Sequence, residues 1–269
     1  MTFPAARASD PITHDSIVPS GTIGPSPHPT TIIEHAPAAR MGDPVLCSGM
    51  TSAGPAHPPP PAAPLIVAGA ATVLIGGQPA ARWAPAPDFA TCGALLGDFE
   101  LAGRRTVFIG GKSSLVAAIE NLRLLLAKKR AALGRWDAAA RTSFERWFGS
   151  AADKPRQRIA RRIERMNSLL DRYGENSFRG AGQEDDEALF AFVYPDDDSV
   201  VYLGSLFARS PMGGPDSQAS TLGHELSHFQ SVDGTADHVY GRRKCLALAR
   251  KDPSKALGNA DNFNYYLDE

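Results

Sequence analysis

The tetrapeptide Pro-Ala-Ala-Arg occurs three times, at Pro4–Arg7, Pro37–Arg40 and Pro79–Arg82. A unit this short cannot bury an apolar face alone, so its copies must close on one another. Each copy is followed by an aspartate and, four residues past it, by a side chain able to bind a metal: Asp10 then His14, Asp43 then Cys47, Asp88 then Cys92. Short β-branched runs lie between or after the copies, at Thr30–Ile33, Thr72–Ile75 and Thr106–Ile109, the last two followed by glycine pairs. Such runs read as strands. The pattern predicts a small all-β unit in which three strand modules wrap around one axis and bring equivalent ligands to a point.

A closed tetrahedral site needs a fourth donor. His57 is the first choice, giving His14, Cys47, His57 and Cys92, with His28 and His35 as alternatives. A thin core rich in glycine and proline gains from a metal staple. The competing reading makes Cys47 and Cys92 plain packing residues, since free cysteine behaves as a small hydrophobe. The three aspartates read as turn-fixing residues. The stretch 51–81 carries no Asp, Glu, Lys or Arg, but prolines interrupt it and its apolar patches are short, so no stable membrane insertion is expected. Residues 1–111 as a whole resemble the PAAR-repeat proteins, conical zinc-bearing tips that cap the trimeric spike of type VI secretion systems.

With 269 residues there is room for about two domains. The formal charge is −1, from 28 basic and 29 acidic residues, so global charge implies no nucleic-acid partner. Most prolines precede Asp88, which divides the chain into unlike halves. Three cysteines do not make a disulfide framework, and the first residues lack the basic-then-apolar pattern of Sec export. From Lys112 to Arg130 apolar residues recur at helical spacing with Gly134 beyond; a second helix is expected from about Asp153 to Tyr173. Its arginine-rich side reads as a solvated face. Ala188–Tyr194 and Val200–Phe207 read as strands of a hairpin turned by Pro195 and Asp196–Asp198, with a second acidic run at Asp185–Glu187.

The chemistry is concentrated later, in His224-Glu225-Leu-Ser-His228 followed by Gly234-Thr235-Ala-Asp237-His-Val-Tyr240-Gly241. Two histidines four apart share one helix face, and neutral imidazoles suit Zn²⁺. Three protein ligands leave a place for water, whose pKa the metal lowers towards ~7, and Glu225 is placed to take its proton. The bland reading is a solvated face or a structural site. The second downstream histidine of metzincins is missing, because Gly234 stands there. Asp237 is then the nearest third ligand, with Asp233, His238 and Asp252 as alternatives, and the Tyr240 phenol can reach an oxyanion. This pattern resembles the aspzincins, the deuterolysin-like metallopeptidases. Its thirteen-position step from His224 to Asp237, and Asn259-Ala-Asp261-Asn-Phe-Asn-Tyr265, resemble the peptidyl-Lys metalloendopeptidase branch. The similarity covers roughly Arg158 to Asp268.

The resemblances together imply a conical PAAR tip over 1–111, a helical joining segment over 112–152, and an α+β zincin-like metallopeptidase domain over 153–269. They imply catalytic zinc on His224, His228 and Asp237, Glu225 as base, Tyr240 as oxyanion donor, and a structural zinc in the tip. In the Lys-preferring branch an acidic pocket receives the side chain after the scissile bond, which implies a substrate-binding role for Asp261; a capping role is the alternative. Asn264 replaces a second acid there. In zincins an edge strand pairs with the substrate, and the hairpin is the candidate. A tip fused to a hydrolase implies an effector made in the bacterial cytoplasm and secreted by the type VI system into a target cell. Its expected partners are the trimeric spike protein, a protein substrate and an immunity protein. The rival expectations are a structural tip with an inactive extension, and a peptidase that trims secretion components.

Overall fold

The computed structural model describes residues 2–60, 62–83, 88–98, 102–182 and 188–269. The chain forms two compact units, one of Met1–Ala117 with Glu175–Phe192 and Tyr202–Ser210, the other of Ala118–Gly174 with Val193–Val201 and Pro211–Glu269. These are not the contiguous divisions at 111 and 152 that the sequence suggests. Backbone pairing explains part of the difference: Gly182 N donates to Thr91 O (2.7 Å), and the Ala90 and Thr91 carbonyls lie so close to Gly180 that any side chain there would collide.

In the first unit the repeat closes into rings of backbone hydrogen bonds. Ala6 N donates to Ala81 O (3.0 Å), Ala81 N to Ala39 O (3.0 Å), and Ala39 N to Ala6 O (2.9 Å). A second ring runs from Ala8 N to Pro37 O, Met41 N to Pro79 O, and Trp83 N to Pro4 O, at 2.8, 2.8 and 2.9 Å. Two alanines per repeat follow from this geometry. Ala5, Ala38 and Ala80 pack with Ile33, Ile75 and Ile109 in one core cluster, while Ala6, Ala39 and Ala81 pack with Ile12, Ile23, Val45 and Ile66 in the next. Only small side chains fit where three backbones meet.

Each repeat arginine is used locally. Arg7 and Arg40 pair with Asp10 and Asp43 at 2.9 and 3.2 Å, and Arg82 with Asp88 at 2.8 Å. The same aspartates accept the arginine backbone N–H at 2.9, 3.2 and 2.8 Å, so all three fix turns. Arg82 and Asp88 are buried, and removing either partner of such a pair costs about 3–5 kcal/mol.

The edge hairpins obey the same symmetry. Phe108 faces Pro4, Ile32 faces Pro37 and Leu74 faces Pro79 across antiparallel pairs. These three apolar side chains point outward, 50%, 58% and 56% exposed, each next to a buried isoleucine.

The described residues include eight α-helices, most of them after the strands of the first unit: α1 (Ser114–Arg135), α2 (Ala138–Phe148), α3 (Asp153–Leu170), α4 (Ser205–Arg209), α5 (Gln218–His228), α6 (Arg242–Lys251), α7 (Pro253–Leu257) and α8 (Ala260–Asp268). Helix α1 runs through Gly134 rather than stopping at it, and α3 ends before Tyr173. The expected second strand is shorter than its apolar run. It covers Val201–Leu203, at the centre of a three-stranded sheet between Phe178–Gly180 and Ala191–Phe192, and Phe207 belongs to α4. The acidic run Asp185–Glu187 lies outside the described residues.

Helix α2 falls inside the expected helical joining segment, and both its ends carry signals. Asp137 accepts Ala140 N (2.8 Å) as N-cap, and Gly149, left-handed at φ 72°, closes the carboxyl end. Its Phe144 and Phe148 rings stand 5.7 and 5.2 Å from Tyr266 of α8, contacts worth about 0.5–1.5 kcal/mol each beyond area burial. Helix α5 is buried along most of its length and packs on α8. Gly223 allows the approach: a Cβ there would stand 3.0 Å from Leu267 Cδ1 and 3.2 Å from Leu122 Cδ1.

Candidate metal centres

The second unit's centre starts from α5, one turn of which carries His224, Glu225 and His228. The chain leaves the helix through Gly234 (φ 62°) and is then held extended, Ala236 N donating to Gly258 O (2.9 Å) and Ala260 N to Ala236 O (3.1 Å). That strap delivers Asp237 to the imidazoles. His224 Nε2 lies 3.2 Å from Asp237 Oδ1, and His228 Nε2 lies 3.5 Å from Asp237 Oδ2. Donors about 2.1 Å from a tetrahedral ion are about 3.4 Å apart, so the three fit zinc. The alternatives are spent elsewhere: Asp233 pairs with Arg158 and buried Arg162, and Asp252 caps α7. The His238 side chain is not in the cluster.

Both imidazoles have their far nitrogens engaged. His228 Nδ1 donates to Thr235 O (2.9 Å), and His224 Nδ1 donates to Asp261 Oδ1 (2.8 Å). These contacts select the tautomer that leaves Nε2 free for a metal. Asp261 is buried and its other oxygen accepts Gly241 N (2.7 Å). Asn264, also buried, accepts a hydrogen bond from Ser220 Oγ (2.9 Å).

The first unit brings together the four donors expected of it. His14 Nε2 is 3.2 Å from Cys47 Sγ and 3.0 Å from His57 Nε2, which is 3.5 Å from the same sulfur. With Cys92 all four donor atoms lie within 4.8 Å of one another. His57 Nδ1 donates to Pro58 O (2.6 Å) and Gly49 N to Cys47 Sγ (3.4 Å), so this cluster too has an outer layer of contacts. It fits a closed S₂N₂ zinc site. His28 and His35 are exposed and outside it.

Comparison with known proteins finds a relative for each part of the chain. A family model described as Lysine-specific metallo-endopeptidase, the aspzincin M35 group, matches residues 135–268, and a PAAR motif model matches residues 13–98. The peptidyl-Lys metalloendopeptidase of Pleurotus ostreatus is 33% identical over 47% of this chain and 73% of its own length. The chain belongs to the aspzincin family. The peptidyl-Lys metalloendopeptidase of Grifola frondosa is 36% identical over 58% of the chain, which spans 43% of that relative's length. A solved structure of a zinc peptidase from Grifola frondosa superposes with a TM-score of 0.51 at 35% identity, covering 58% of this chain and 92% of that one.

The charges of the aspzincin centre are arranged around burial. Burial disfavours a charge on His224, but the Asp237 and Asp261 carboxylates outweigh it and raise its metal-free pKa to about 10. Burial pushes Glu225 up to about 8, against the pull of His224. It also lowers His228. Asp237 is held low although burial works the other way, by hydrogen bonds from His224 and Tyr240. Tyr240 is 58% exposed, its ring 6.4 Å from that of His224 and nearly parallel to it, and burial together with its bond to Asp237 keeps the phenol protonated.

Sequence reasoning missed the supports of this aspzincin. Asn259, wholly buried, accepts His238 N (2.8 Å) and Val239 N (3.1 Å) and donates to Val239 O (3.1 Å). Thr235 Oγ1 meets Ser227 Oγ at 2.6 Å. Of these, only Ser227 carried a signal, a polar residue on a helix that is buried along most of its length, where polar groups occur only when paired; Thr235 and Asn259 lie outside the helices.

Proposed function

We propose that this chain is a zinc-dependent endopeptidase carried on a secretion spike tip, acting on a protein of a target cell. The observation that carries the catalytic part is the convergence of His224, His228 and Asp237 beside a buried glutamate. A zinc ion held by those three residues supplies a polarised, acidified water. Glu225 accepts the proton of the attacking water and delivers it to the leaving amine; burial, by raising its pKa, makes it able to do both. Tyr240 donates its hydroxyl to the developing oxyanion. Asp261 acts first as a positioning residue, since its oxygens serve His224 Nδ1 and Gly241 N. The names of the fungal relatives support a preference for lysine after the cut, which here rests on the Asp261 charge with Asn264 neutral beside it.

The PAAR motif supports association with a spike protein, and the outward ring of Ile32, Leu74 and Phe108 suits a partner of threefold symmetry. The four donors of the tip hold a second, structural zinc. Delivery makes the chain an effector, countered in the producing cell by an immunity protein. The deciding experiment pairs purified wild type with Glu225→Ala. The variant keeps its zinc and loses peptide cleavage, and toxicity in recipient cells disappears with it and is relieved by a co-encoded inhibitor. Cleavage by the variant at the wild-type rate removes Glu225 as base; toxicity without Glu225 removes the peptidase as toxin. A peptide library cut without basic preference removes the lysine assignment.

A further inference from the structure

We propose that Cys47 and Cys92 are a disulfide site: oxidation joins them, and the covalent bond takes over the cross-link that a metal ion gives the reduced tip. Two of the three threefold-equivalent ligand positions, those following Asp43 and Asp88, carry sulfur, whereas the one following Asp10 carries His14. The sulfurs lie within 4.8 Å of each other, a separation that side-chain rotation can close towards the S–S bond. Cys47 is partly exposed and open to attack, while Cys92 is buried behind it as the resolving thiol. The remaining cysteine, Cys245, is wholly buried on α6 in the other unit and belongs to a different environment.

The chemistry balances with a peroxide as oxidant. The Cys47 thiolate attacks one peroxide oxygen, forming a sulfenic acid and releasing hydroxide. The Cys92 thiolate then displaces a second hydroxide from that sulfur. Two electrons pass from the sulfur pair to the peroxide, which leaves as two waters once protonated. The disulfide no longer offers two thiolate donors, and His14 and His57 alone do not make a closed zinc site. The consequence is a tip stapled by metal in a reducing cytoplasm and by a covalent bond in an oxidising space.

The release of zinc rests on the metal reading above; the pairing of the sulfurs does not. The test treats the full zinc-loaded chain with hydrogen peroxide and follows non-reducing peptide maps and free zinc together. The expected result is a Cys47–Cys92 linked peptide whose appearance parallels release of the tip's zinc, both reversed by a dithiol with added zinc. Cys47→Ser yields neither the linked peptide nor peroxide-driven release; should it fail to fold, the wild-type map alone decides. A linked peptide from a reduced chain that holds no tip zinc supports the disulfide and removes the metal reading. Over-oxidised cysteines, links between chains, or a Cys47–Cys92 bond formed with the zinc retained overturns the proposal.

Discussion

The first unit gathers four donors, two of them sulfur, from segments locked by a threefold ring of backbone hydrogen bonds. The second gathers three, two nitrogens and a carboxylate, from one helix and an extended strap. A buried glutamate adjoins that second cluster, and an exposed tyrosine leans over it. Zinc would therefore be saturated by protein in the first centre and left with an open position in the second. What would separate a staple from a catalyst here is the donor count and the presence of a proton acceptor that is not itself a ligand.

The sharpest way to break this comparison is Glu225→Ala. It should lower kcat by about 10²–10⁴-fold, the range of general-base catalysis, with zinc content unchanged by elemental analysis. An equal loss of metal would make Glu225 part of the ligand cage and erase the distinction between the centres. Next comes Asp261→Asn, which removes the charge that orients His224. A loss of about 10–100-fold in metal affinity or activity is expected, as for other outer partners of zinc-bound histidines. A lysine pocket alone predicts a different result: raised KM for lysine peptides and unchanged zinc affinity.

The tip was legible in the sequence because its repeat is short and its ligands follow at constant spacing, so counting from Asp10, Asp43 and Asp88 reached His14, Cys47 and Cys92. His57 lies outside that register, and only the need of a tetrahedral site for a fourth donor points to it. The His224–Tyr240 pattern was legible for a similar reason, since a helix turn and a glycine break set the geometry locally. The helix boundaries were less so. Gly134 costs α1 only about 1 kcal/mol relative to alanine, and the helix continues past it to Arg135. The bond of Asp261 to His224 was hidden because it joins residues 37 positions apart, across the packing of α8 on α5; no local spacing encodes that. The grouping of Glu175–Phe192 with the first unit likewise depends on a long-range backbone pairing, and local patterns say little about those.

A change at the threefold axis tests the opposite half of the comparison. Ala39→Leu overfills a site where Ala6, Ala39 and Ala81 meet, at a cost of about 1–3 kcal/mol read as a lower melting temperature of the first unit. Peptide hydrolysis at a temperature below that transition should stay at the wild-type rate. A proportional fall in both would mean that the peptidase centre depends on the repeat core.

The smallest expected effect concerns protons. In the metal-free chain His224 has a pKa of about 10 against a usual 6.5. Its contribution to stability is therefore full below pH 6.5 and is lost as pH rises through about 10. Glu225, raised by burial from 4.5 to about 8, acts in the same direction: the unfolded chain ionises it first, so stability falls between pH 4.5 and about 8. The two groups interact, and the titration belongs to the pair. Zinc requires a neutral imidazole, so loading removes the His224 contribution and expels its proton. Melting temperatures measured from pH 6 to 10 should fall more steeply without zinc than with it. Calorimetry at pH 7 in buffers of different ionisation enthalpy should register proton release on zinc binding. Parallel curves with no released proton would mean that His224 is already neutral, its one N–H donated from Nδ1 to Asp261.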